Sequence, residues 1–123
     1  MSRRTGTARR DRGQVAIEYM GFIPLLLLVG LCAIQLGVAA YTANQAGTAA
    51  RAAARTAGQD HRVIGPEAAG EHAISSWLAD GARWDLPSYG YDEVTYTVHV
   101  EIPSVIPGLS WGDATRSSTM PVD

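Results

Sequence analysis

The 123-residue chain has no lysine, one cysteine and one phenylalanine. A lone Cys32 excludes an intramolecular disulfide, so no part of the chain is a disulfide-stapled scaffold. With no second cysteine and no HxxxH or HExxH spacing, His61, His72 and His99 form no recognisable metal site. Gly-rich phosphate loops are missing, and no serine stands in a nucleophile frame. Asp85 and the pair Asp92 and Glu93 lie near turns and read as solvated carboxylates. These gaps leave no positive sign of an enzyme and no call for a cofactor or metal.

What is abundant is unevenly placed. Arg3, Arg4, Arg9, Arg10 and Arg12 crowd the first 13 residues against Asp11 alone, although the formal charge of the whole chain is −2. Residues 19–41 then read YMGFIPLLLLVGLCAIQLGVAAY, with no ionised side chain and Gln35 as the one strongly polar group. About 20 apolar residues cross a bilayer core, so this run is long enough to span. The arginines beside it are expected to hold the N-terminus in the cytoplasm and send the C-terminal part outside. An orientation signal explains them better than a nucleic-acid tail, and no nucleic-acid partner is expected. Ser2-Arg3-Arg4 starts like a twin-arginine export signal, but the apolar residue that should follow soon after is missing.

The leader 1–13 lacks apolar periodicity and is expected to be disordered. From Gln14 to Thr56 nearly every residue favours or tolerates helix, and Pro24 bends a membrane helix without ending it. Continuous helix over 14–57 would be a rod of about 65 Å. Gly58 is the expected stop. Gly37, Ala40, Asn44, Gly47, Ala50 and Ala54 recur at spacings of three and four. Such a stripe admits a second helix closely, or it reflects alanine content alone. Cys32 reads as a small apolar residue of this helix.

Residues 58–123 are expected to form a small α+β region. Pro66 sits where a helix begins, and Ala68, Ala69, His72, Ile74, Trp77 and Leu78 give 67–82 one apolar face, weakened by Gly70. A turn region follows at 86–90. Val94, Tyr96, Val98, Val100 and Ile102 alternate with polar residues, as in a strand with one buried face. A Pro/Gly loop over 103–112 carries Val105, Ile106, Leu109 and Trp111, and 114–122 returns as a weaker second strand. Two strands alone are marginal in water, so this part needs partners or the long helix to stabilise it.

The head of the chain carries the sharpest pattern. Gly13 closes the basic leader, Gln14 follows, and Glu18 and Tyr19 stand just inside the apolar run, where a charge is costly. This frame resembles the class III signal of type IV pilin-like proteins. The resemblance implies that a prepilin peptidase cuts after Gly13, that Gln14 becomes the N-terminus, and that Glu18 falls at the fifth position. Tyr19 matches the Glu-Tyr/Phe pair of the Flp branch. The opening Gln14-Val15-Ala16-Ile17-Glu18-Tyr19, the Pro24-Leu25-Leu26-Leu27 run, the Asn44-Gln45-Ala46 and Ala49-Ala50-Arg51-Ala52-Ala53-Ala54 stretches, the Val105-Ile106-Pro107-Gly108-Leu109 loop and Thr119-Met120-Pro121 look like actinobacterial members of the TadE family, the minor pseudopilins of Tad pilus loci.

That family implies a single-pass membrane protein with a pilin-like helix over 14–57, a transmembrane part at about 19–41, and a small exported region. It implies as partners the prepilin peptidase, other pilins and pseudopilins through the N-terminal helix, the Tad inner-membrane platform, and membrane lipid. Glu18 is expected to pair with the free α-amine of a neighbour, or else to complement the dipole at the start of its own helix. A different outcome stays open on the residues alone. Val38-Ala39-Ala40 is a passable signal-peptide site, and a cut there would release a secreted binding module starting at Tyr41. A span-anchored enzyme or enzyme subunit is the third possibility, and it needs catalytic groups that the sequence does not show.

Overall fold

The computed structural model describes residues 3–59 and 62–122, with side chains described from Gly13 onward. The chain falls into two compact units, Met1–Ile34 and Gln35–Asp123. Helix α1, Arg3–Ala57, contributes to both. It begins well before Gln14, so the leader expected to be disordered is helical from Arg3. Arginine and alanine are strong helix formers, and an existing helix extends onto adjoining residues far more easily than it nucleates. Pro24 lies inside α1 without ending it.

In the first unit the side chains from Gly13 to Ile34 are all exposed, and most are large and apolar. Gly13–Ala57 is long and apolar enough to cross a membrane, with almost none of its most apolar stretch covered by protein. An exposed apolar surface of this kind needs a cover other than water.

In the second unit α1 supplies the floor of a core. Gln35, Thr42, Ala46, Ala49, Ala50, Ala53 and Ala54 are buried, at spacings that place them on one face of the helix. The small-residue stripe read from the sequence shares only Ala50 and Ala54 with this face; Gly37, Ala40 and Asn44 are exposed. Within this unit the alanines meet a sheet of the same chain. Alanine lets the sheet approach closely, while the bulk comes from the other side.

That other side is an antiparallel sheet of four strands: β1 Ala82–Trp84, β2 Ser88–Tyr89, β3 Glu93–Glu101 and β4 Asp113–Pro121. β3 is central. It pairs along its whole length with β4, from Glu93 opposite Pro121 to Glu101 opposite Asp113. Along its other edge, β1 pairs near one end and β2 near the other. Val94, Tyr96, Val98 and Val100 are buried, as the alternation requires. Val98 and Val100 pack on Ala46, Ala49 and Ala50, while Val94 and Tyr96 pack on Ala53 and Ala54. Each buried valine is worth about 1.5–3 kcal/mol, so the sheet side dominates the hydrophobic term. The outer face is polar: Thr95 bonds Thr119 at 2.6 Å and Thr97 bonds Ser117 at 2.7 Å. The turn region expected at 86–90 holds the short strand β2, and β1 precedes it.

The helix expected over 67–82 is two helices, α2 Pro66–His72 and α3 Ser76–Ala79. Pro66 stands in the first turn of α2 as expected, and Pro66, Gly70, Ile74 and Leu78 face the core. His72 and Trp77, read as part of that apolar face, are exposed. Gly70 is a packing requirement. A Cβ there would stand 2.5 Å from Trp84 Cη2 and 2.7 Å from the Ala49 carbonyl oxygen. Trp84 joins both halves of the core, lies edge-on to Tyr96 at 6.3 Å, and donates its indole N–H to Glu71 at 3.2 Å. Gly58 follows the last residue of α1, and a Cβ there would meet the Pro121 carbonyl oxygen at 2.8 Å.

Candidate processing and assembly site at the head of the helix

Gly13, Gln14, Glu18 and Tyr19 lie on successive turns of α1, and all four are exposed. Helical spacing puts Val15, Glu18, Tyr19, Phe22 and Leu25 on one side. With Gly21 they line an open groove of about 520 Å³. Glu18 thus shares this exposed surface with Val15, Tyr19, Phe22 and Leu25. Among the described residues no cation pairs with it. In hydrocarbon an uncompensated carboxylate costs several kcal/mol, so this position demands a cationic partner or access to the membrane surface.

Gly13 has no neighbour that would obstruct a side chain: a Cβ there meets nothing within 4 Å. Glycine inside a helix costs about 1 kcal/mol relative to alanine. Packing therefore gives no reason for glycine at this position, in contrast to Gly58 and Gly70. Gly21, Gly30 and Gly37 are equally open, which fits the frequency of glycine in membrane helices.

The other residues singled out in the sequence are dispersed. Cys32 is exposed on α1. His99 bonds Thr115 through Nδ1 at 2.8 Å and Asp85 through Nε2 at 3.0 Å, a cross-strand arrangement on the polar sheet face. His72 is exposed, and His61 lies outside the described residues. Among the described residues no group of three His, Cys, Asp or Glu side chains could hold a metal ion.

Gln35 has a role that sequence reading missed. Its Nε2 donates to the Pro103 carbonyl oxygen at 3.0 Å, and its Oε1 accepts from the Val105 amide at 2.9 Å. The side chain thereby fixes the loop after β3 to α1. Its isolation as a polar residue in an apolar run was the available signal.

No curated protein and no solved structure matches the chain. A family model does match, and the matched segment begins at Gly13. Among the described residues one helix is long and apolar enough to cross a membrane, which fits a membrane-anchored single-pass protein. Residues 13–55 are a TadE-like segment, matched by the family model described as TadE-like protein, in agreement with the resemblance read at the head of the chain.

Proposed function

We propose that the chain is a minor pseudopilin of a Tad/Flp-type adhesion pilus, with a structural and not a catalytic role. A prepilin peptidase cuts after Gly13 on the cytoplasmic side, and Gln14 becomes the N-terminus of the mature protein. The C-terminal unit is exported. The observation that carries this reading is Gly13: a helix-weakening residue with no packing reason, five residues before an exposed glutamate in an apolar groove. The TadE-like match supports it.

The chemistry is consistent. A leader with five arginines resists entry into the bilayer, so its removal frees the helix to leave the membrane. Cleavage creates an α-amine at Gln14. Pairing of that amine with Glu18 of a neighbouring subunit sets the axial register, because any other register leaves a carboxylate unpaired in low dielectric. The remaining partners in this reading are other pilins or pseudopilins and the Tad inner-membrane platform. A signal-peptidase cut after Ala40 would remove Gln35 together with its two bonds to the 103–105 backbone.

Glu18→Ala tests the register role. The variant should be cleaved normally yet leave cells defective in pili, scored by immunoblot and electron microscopy of the host. Normal piliation would remove the register role. Failure of cleavage would place Glu18 in peptidase recognition instead.

A further inference from the structure

We propose that the 102–112 loop lies in the interfacial layer of the bilayer that α1 enters, with Leu109 and Trp111 among the lipid headgroups and upper acyl chains. The inference rests on the membrane span alone and is independent of cleavage at Gly13.

The direction of β3 is the first support. Its early residues Val94 and Tyr96 pack on Ala53 and Ala54, and its later residues Val98 and Val100 pack on Ala46 to Ala50. β3 thus runs antiparallel to α1, and the chain leaving it travels toward Gln35. It arrives there, since Pro103 and Val105 are the backbone partners of the Gln35 side chain. Gln35 is the first buried side chain after the exposed residues 13–34. From Val15, the first exposed large apolar side chain, to Ile34 the helix rises about 30 Å at 1.5 Å per residue, close to the thickness of a bilayer's hydrocarbon core. The span then ends near Ile34 and not at Tyr41. Gln35 stands at the hydrocarbon edge, with its polar atoms satisfied by the loop.

The composition of the loop is the second support. Residues 102–112 read IPSVIPGLSWG and carry no charge. The first charged residues on either side, Glu101 and Asp113, face each other at the end of the hairpin. Asp113 also pairs with Arg83. Leu109 and Trp111 are 52% and 41% exposed, so this uncharged loop offers two large apolar side chains to whatever lies beside it.

The test uses the full chain with Cys32→Ala, so that one introduced cysteine carries an NBD fluorophore. Leu109→Cys reports on the loop, and Ser117→Cys on the polar sheet face is the reference. Trp111→Cys is a second loop position should the first disturb folding. Each is reconstituted in phosphatidylethanolamine/phosphatidylglycerol vesicles, with or without acyl-chain-brominated lipid. Brominated lipid should abolish most of the fluorescence at 109 and 111 and little at 117, and aqueous iodide should show the reverse. Equal iodide quenching at all three positions overturns the proposal. So does a loop shielded from iodide yet unaffected by brominated lipid, which would mean that protein covers it.

Discussion

Single residues divide into those that packing explains and those that it does not. Gly70 is of the first kind. Gly70→Ala pushes a methyl group into Trp84 and the Ala49 carbonyl, and should destabilise the C-terminal unit by about 1–3 kcal/mol, measured by chemical denaturation of the detergent-solubilised chain. Gly13 is of the second kind: a side chain there would meet nothing within 4 Å, as at Gly21, Gly30 and Gly37, and the proposed cleavage after it gives its identity a chemical reason. Tyr96 shows burial acting on chemistry. Desolvation, reinforced by the negative charge of Glu67, pushes its phenol up from 10.0 to about 12. The folded state therefore prefers the neutral phenol. Its contribution to stability is complete below pH 10 and is lost as pH rises toward 12. Tyr96→Phe should remove a tyrosinate step near pH 12 from an absorbance titration and flatten the loss of stability over that window.

At the level of elements, the sequence was legible wherever a period was long enough to read. Nine residues of alternation became β3, with Val94, Tyr96, Val98 and Val100 inward. The run of helix-tolerant residues after Gln14 became α1 despite Pro24, and Pro66 opened α2. Short elements were not legible. β1 and β2 span three and two residues, too few to show a period, and exist because β3 offers them an edge. The break between α2 and α3 was hidden by a plausible apolar face. The alanine-rich half of α1 was ambiguous, because alanine content alone does not say which face is covered. The buried face makes a distinction that can be measured. Ala50→Leu should force a large side chain against Val98 and Val100 and lower stability by about 1–3 kcal/mol. Ala40→Leu, on the exposed side, should leave the thermal midpoint of near-UV circular dichroism unchanged.

At the scale of the molecule, an apolar helix without cover in Met1–Ile34 and a sheet-on-helix core in Gln35–Asp123 divide the work of one chain. The second unit builds its core from its own part of α1, which answers the expectation that a lone hairpin would be marginal. Gln35 was visible in the sequence only as an oddity, since its partners at Pro103 and Val105 are 68 and 70 residues away. The head of the chain shows the opposite relation. Its motif is plain in the sequence, and the fold adds that nothing in the packing requires it. The most direct test is the N-terminus of the native protein, read by mass spectrometry of host membranes with and without the prepilin peptidase. The expected result is a chain beginning at Gln14 that reverts to the intact leader when the peptidase is deleted. An intact leader in both strains, or a start at Tyr41, would contradict the pseudopilin function.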